Sequence, residues 1–305
     1  MTPTANTRLP VPDNSHRELI ARVRVRALFG WLPTQEALTV FSLNASESSE
    51  AIRTAEHAAM SLAVQNRPEY IPESPIIVNH RGWNISAARR RPELQVDFSG
   101  HTMELCVVDL RKILAFQKNV RLPGVEGQIA ISPENKAEIL SICLPESQTD
   151  DELVWSLDGD GKGVTLSSFN PNFKVYGAHM GTVSIPSSPD LPAVQRSAIS
   201  ISYGIPISYL HVAEYDGRYF LRDGYHRAVG LLKAGVNEVP CVLIRAANIQ
   251  QVFSAAGNFL SPEVIMGTHP PLLADFLDNG VSGEGEINEV RKVIRVRGDE
   301  FVVLS

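Results

Sequence analysis

Residues 207–244 read ISYLHVAEYDGRYFLRDGYHRAVGLLKAGVNEVPCVLI, and their parsing decides the fold. The runs 209–214 and 218–221 are strand-like, and Asp216-Gly217 between them suits the positive φ of a tight hairpin turn. Asp223 is placed to cap a helix, Gly224 allows close backbone approach, and Ala228, Leu231 and Leu232 form a buried stripe at helical spacing. Gly235 ends that helix as a left-handed cap, with Lys233 complementing the dipole in the last turn. Residues 239–244 are a further strand, Pro240 sitting near its start where a missing N–H is tolerated. The order strand, strand, helix, strand predicts an α+β fold.

The chemistry concentrates where the second strand meets the helix, at Asp223-Gly224-Tyr225-His226-Arg227. First-turn N–H groups have no intrahelical acceptor, and the helix dipole adds roughly half a positive charge there, so such an end attracts anions. Arg227 offers a bidentate fork matched to phosphate oxygens, and His226 can donate or shuttle a proton near neutral pH. A phosphate-bearing small molecule is the expected guest. The competing reading is structural: Asp223 only caps, Arg227 pairs with a carboxylate, and His226 packs quietly.

This box and its flanks, RYFLRDGYHRAVGLLKAGVNEVPCVLI, resemble the ParB/sulfiredoxin superfamily, whose members carry a strand, an Asp/Gly-Gly-x-His/Arg-Arg box opening a helix, and then Gly-x-x-x-Val/Ile-Pro. The resemblance covers about 40 residues directly, and about 55 if 193–212 supply the preceding helix, glycine and strand. It implies a mixed sheet with helices, and it implies that Gly224, Tyr225, His226 and Arg227 hold nucleotide phosphates, with Asp223 as a polar or metal-facing partner. By the same resemblance residues 106–120 are the first strand and the loop after it, bringing Gln117 or Lys118 towards the pocket, and 124–189 are an insertion.

Departures from the superfamily narrow the chemistry. Sulfiredoxins place a catalytic cysteine immediately before the His-Arg pair, where this chain has Tyr225, which argues against sulfinic acid reduction. Chromosome-partition ParB proteins follow the box with a helix-turn-helix domain, and no such pattern is evident after Arg245. The superfamily's free-serine kinases use an upstream acidic base, for which Glu214 and Asp216 are the nearby candidates. The resulting expectation is a phosphotransferase or nucleoside triphosphatase that takes a nucleoside triphosphate or diphosphate with Mg²⁺. Asp223, His226 and Glu214 are its candidate catalytic residues. The alternatives are a ParB-like DNA-associated protein or nuclease, and a non-catalytic ligand-sensing or interaction module.

Composition bounds these readings. A chain of 305 residues, 44% hydrophobic and 20% charged, can bury a proper core. A net charge of −6 and a pI near 5.8 give no global attraction to polyanions, so DNA binding would need a local basic patch. No stretch approaches the roughly 18–20 apolar residues of a membrane span, and the first residues lack the apolar centre of a signal peptide, so a cytoplasmic location is expected. The three cysteines, Cys106, Cys143 and Cys241, lack paired spacing, and Cys106 and Cys241 lie in apolar strand contexts as small hydrophobes. The histidines show no ligand spacing, so no protein metal site is expected.

Outward from the box, residues 1–15 are expected as a flexible tail and 16–70 as a helical N-terminal region. Its first helix starts near His16 with Leu19, Ile20, Val23 and Leu28 apolar, and a second is signalled by Ser48/Ser49 and Glu50. Residues 75–190 read as β-rich, with PIIVN, ELQVDF and ELCVVDL as strands and 158–163 as a hairpin tip. An EF-hand would need Glu at the twelfth position, where Phe169 stands. The run Arg89–Arg91 reads as a solvated loop. Residues 191–245 form the nucleotide-pocket segment, and 246–305 comprise helical pieces, a Gly/Ser/acidic linker at 278–286 and a C-terminal hairpin.

Overall fold

A computed structural model of the chain describes residues 22–41, 50–78, 82–91, 94, 103–121, 131–147, 153–170, 172–185, 194–253 and 258–298. The architecture is mixed α+β with several small sheets. Described residues fall into two compact units, one drawn from 21–147 and 207–289, the other from 148–206 and 290–305. In chain order the larger unit contributes β1 (Arg22–Ala27), α1 (Thr34–Phe41), α2 (Glu50–Gln65), β2 (Met103–Asp109), β3 (Asn119–Arg121) and α3 (Lys136–Cys143). The smaller unit follows with β4 (Val154–Leu157), β5 (Gly163–Ser168), β6 (Lys174–Ile185) and β7 (Val194–Gly204). The chain then returns to the larger unit for β8 (His211–Tyr215), β9 (Arg218–Asp223), α4 (Tyr225–Lys233), β10 (Glu238–Arg245) and β11 (Gly283–Asn288), and ends with β12 (Lys292–Arg297) in the smaller.

The sheet that carries the site has the order β2-β10-β8-β9. β8 and β9 form the expected hairpin, turning at Asp216 and Gly217 with φ of 53° and 71°. α4 buries Ala228, Val229 and Leu231 and ends before Gly235 at φ 81°. β10 then runs parallel to β8 and antiparallel to β2. β2 therefore lies in the same sheet as the 207–244 segment, and Val107, Val108, Val212, Ala213, Val242 and Ile244 are buried within it. Loop 110–117 also joins this layer, since Leu114 N–H donates to Tyr219 C=O and Leu221 N–H to Leu114 C=O.

A second sheet, β11-β1-β3, differs from the sequence expectation at its central strand β1 and at its edge strand β11. Residues 22–27 are a strand, not part of a helix begun near His16. The alternation RVRVRA has the two-residue period of a strand, and it directs Val25 and Ala27 into the core. Residues 283–288, of which 283–286 are expected as linker, pair along β1 and set Glu284 opposite Arg26 and Glu286 opposite Arg24. Arg24 Nη2 also reaches Glu284 Oε2 at 2.6 Å. Glycines are required in β11 by close approach: a Cβ on Gly285 would lie 2.7 Å from both Val40 Cγ1 and Val40 O.

Three further expectations are corrected. Residues 194–204 are strand β7, paired with β6, where the resemblance implied a helix. The expected β-rich region contains α3, whose Asn135 side chain accepts from Glu138 N–H and whose Ile139 and Cys143 are buried. Arg89 and Arg91 do not stand free in solvent: Arg89 Nη2 donates to Leu105 C=O, and Arg91 Nη1 to Leu144 C=O and Pro145 C=O. The segment PIIVN contributes a single bridge, Ile76 to Val108. Most of ELQVDF, the tail, the start near His16, Ser48/Ser49 and the second strand of the C-terminal hairpin lie outside the described residues.

In the smaller unit, β4 and β5 form the hairpin expected around 158–163, closed by Asp158 N–H to Gly163 C=O. β12 adds to β5, and Arg295 is paired with Asp158 at 2.7 Å. Leu166, Phe173 and Ile205 form its apolar centre.

Candidate functional site

The site is built where β9 ends and α4 begins. Gly224 holds φ +89° and turns the chain from strand to helix, and a Cβ there would meet Leu210 Cα and Arg227 Nη2, each at 3.2 Å. Gly224, not Asp223, is the N-cap, and no side chain caps the helix. Asp223 instead closes β9: its Oδ1 accepts from Gly224 N–H at 2.7 Å and its Oδ2 from Ser208 Oγ–H at 2.8 Å. The first intrahelical bond is Ala228 N–H to Gly224 C=O, at 2.9 Å. The N–H groups of Tyr225, His226 and Arg227 therefore precede the helical ladder, which is the anion-attracting arrangement the sequence anticipates.

The other box residues are committed to the fold. Arg227 Nη1 donates to Ser208 C=O at 2.6 Å and to Ile142 C=O at 3.0 Å, and its Nη2 donates to Ser208 Oγ at 2.7 Å. Its guanidinium thus links α3 to the entry of β8, and burial lowers its pKa while Asp223 opposes that shift. Tyr225 is buried, and its hydroxyl oxygen accepts from Phe116 N–H at 2.9 Å and Gln117 N–H at 3.2 Å. Burial pushes that phenol upward, so it stays neutral as a clamp. The ring meets Phe116 and Phe276 edge-on, with centroids 6.0 and 6.2 Å away.

His226 keeps an exposed surface, but its Nε2 accepts from Arg121 N–H at 3.1 Å and so carries no proton. Its pKa is lowered, first by the surrounding protein and then by the charge of Arg121, against the pull of Asp223. Glu214 does not join this group. It pairs across the ladder with Tyr219 and faces Arg245 at 3.5 Å. His211 is the β8 residue opposite Asp223, so Glu214 stands three residues, roughly 10 Å, along the strand from the box. Of the loop residues, Gln117 comes to Tyr225 through its backbone, whereas Lys118 Nζ is held by Glu36 at 2.8 Å.

Arg222, Ser208 and Arg121 are the site residues that sequence reasoning missed. Arg222 sits at the irregularity between the pairs Val212–Leu221 and His211–Asp223, an extra residue in β9. Its Nε is buried and has no hydrogen-bond partner among the described residues, and burial lowers its pKa against the opposing charge of Asp223. The signal available in sequence was only its place before Asp223. Among the described residues no three His, Cys, Asp or Glu side chains gather to hold a metal, so a Mg²⁺ here would depend on Asp223, water and a ligand's own phosphate oxygens. Also among the described residues, no helix is long and apolar enough to cross a membrane.

Comparison with protein-family models, with curated proteins and with solved structures returns no match to this chain.

Proposed function

We propose that the larger unit is a ParB/sulfiredoxin-like module that binds a phosphate-bearing small molecule, foremost a nucleoside triphosphate or diphosphate with Mg²⁺, at the N-terminus of α4. The observation that carries this reading is the uncapped first turn after Gly224, preceded two positions earlier in the chain by Arg222, whose buried Nε has no hydrogen-bond partner among the described residues. A glycine-opened helix start presents backbone donors, and an arginine supplies the charge-assisted bond that selects phosphate over neutral ligands. Arg227 is assigned a positioning role, because its donors are engaged by Ser208 and Ile142.

If turnover accompanies binding, Asp223 and His226 are the groups near enough to act on a bound phosphoryl acceptor. Neutral His226 can accept a proton at the nitrogen that Arg121 N–H now occupies only if that bond opens. A second reading, binding without turnover, is favoured by the bonds of Asp223, Tyr225 and Arg227 within the fold itself. The DNA-associated reading has the acidic net charge against it.

Melting temperatures with ATP, ADP, CTP and GTP, each with and without Mg²⁺, test the proposal, because a ligand that binds only the native state stabilises it by mass action. At least one nucleotide is expected to raise the melting temperature of the wild type, and Arg222→Ala is expected to shrink that rise while keeping its own unliganded transition cooperative. Absence of any shift up to millimolar concentration would overturn it.

A further inference from the structure

We propose that Cys106 and Cys241 are a redox-active pair that closes reversibly into a cross-strand disulfide between β2 and β10. This rests on geometry separate from the α4 site. The two residues stand directly opposite each other in the ladder, and their sulfurs are 3.7 Å apart. They are 135 residues apart in sequence, yet Cys143, the remaining cysteine of the chain, is near enough to bear electrostatically on Cys241.

The register says what kind of disulfide this is. Val242 N–H donates to Leu210 C=O, so even-numbered residues of β10 direct their backbone groups towards β8. Successive residues point to opposite sides, so Cys241 directs its N–H and C=O towards β2 and forms a hydrogen-bonded pair with Cys106. Such pairs hold their Cα atoms about 5.5 Å apart, inside the span that disulfides bridge. Their Cβ atoms must nevertheless be drawn in to about 3.8 Å, so the closed bond is strained and therefore easily reduced. A bond of that kind belongs with switches and not with permanent staples.

The three thiols differ in readiness. Cys143 and Cys241 have no exposed surface, and burial pushes the Cys143 thiol up to about 12 and the Cys241 thiol well above its ordinary value. Cys106 retains 4% exposure and lies on β2, the end strand of its sheet, so it is the thiol that an oxidant meets first. With hydrogen peroxide as oxidant, Cys106 Sγ takes the hydroxyl, giving a sulfenic acid and one water. Cys241 Sγ then displaces that hydroxyl as a second water, and the S–S bond forms. Two thiols are oxidised by two electrons, and the peroxide is reduced to two waters.

The experiment is peroxide titration of the folded full-length chain, followed by alkylation of free thiols under denaturing conditions and peptide mapping without reductant. The expected product is one linked peptide pair containing Cys106 and Cys241, short of two hydrogens, with Cys143 fully alkylated. Dithiothreitol should restore all thiols, and Cys143→Ser should leave the linkage intact while Cys106→Ser abolishes it. The wild-type map decides the matter even if a variant misfolds. Recovery of all three thiols unmodified, a link to Cys143, over-oxidation of Cys106 without a link, or a link formed only after unfolding would each overturn the proposal.

Discussion

At Tyr225 two backbone N–H groups, from Phe116 and Gln117, converge on one buried phenol oxygen. Removing that oxygen strands the buried Phe116 N–H, whereas the Gln117 bond is only partly buried, and an unsatisfied buried group costs about 1–3 kcal/mol. Tyr225→Phe is therefore expected to keep the ring packing and lose roughly that amount, read as a lower urea midpoint at unchanged m-value. An unchanged midpoint would show that water replaces the hydroxyl. The identity of this residue was legible as a departure from the sulfiredoxin pattern, but its partners lie more than 100 positions away and no local spacing could name them.

His226 gives a pH prediction with a definite sign. Its folded pKa lies below the ordinary 6.5, so as pH falls through about 6.5 the unfolded chain takes up the proton first. The contribution of neutral His226 is fully present above that value, declines below it, and levels off once pH passes the lowered folded value. Melting temperature measured from pH 7.5 downward should fall more steeply in the wild type than in His226→Gln. Parallel curves would remove His226 from the account.

Among elements, β8, β9, α4 and β10 were legible because each carries its own signal: alternation, a turn dipeptide, a three-four stripe, and glycines at both helix ends. β1 and β7 are strands where helices are expected: at β1 the apolar residues Leu19, Ile20, Val23 and Leu28 at helical spacing outweigh the two-residue period, and at β7 the resemblance alone implies the helix. β11 has almost no strand propensity of its own; GEGEIN pairs with the arginine-bearing β1, and its glycines lie against Phe29 and Val40. Gly285→Ala tests that account. The added methyl must displace Val40 backbone, an overpacking that costs about 1–3 kcal/mol, so a clear drop in melting temperature is expected. Gly280→Ala, where the nearest neighbour is the Asp278 side chain at 3.1 Å, should cost less.

On the scale of the whole molecule, the larger unit is interrupted and resumed. Leu210 N–H donates to Cys143 C=O at 2.7 Å, so the chain that leaves after α3 re-enters beside its point of departure. An excursion whose two ends already touch is removable in principle. Replacing 148–206 by a short Gly/Ser linker and ending the chain after residue 289, which removes β12 together with its partner β5, is expected to leave a cooperatively folding protein with the β2-β10-β8-β9 sheet intact, checked by circular dichroism and thermal unfolding. Loss of cooperativity would show that the larger unit does not fold by itself. The resemblance implies an insertion at 124–189, whereas the part of the smaller unit that directly precedes β8 is 148–206, and α3, inside the implied span, belongs to the larger unit.

The pairing of β1 with β11 has a consequence for synthesis. Ala27 and Gly283, partners in the ladder, are separated by 283 − 27 = 256 positions. At a ribosomal pace of about 5–20 residues per second, β1 waits roughly 13–50 s for that partner to be made. Throughout that interval one of its edges offers unsatisfied backbone groups to any neighbouring nascent chain. The arginines at 22, 24 and 26 that later face β11 serve in the meantime as a guard, since charge along a bare edge repels the copies that would otherwise add to it.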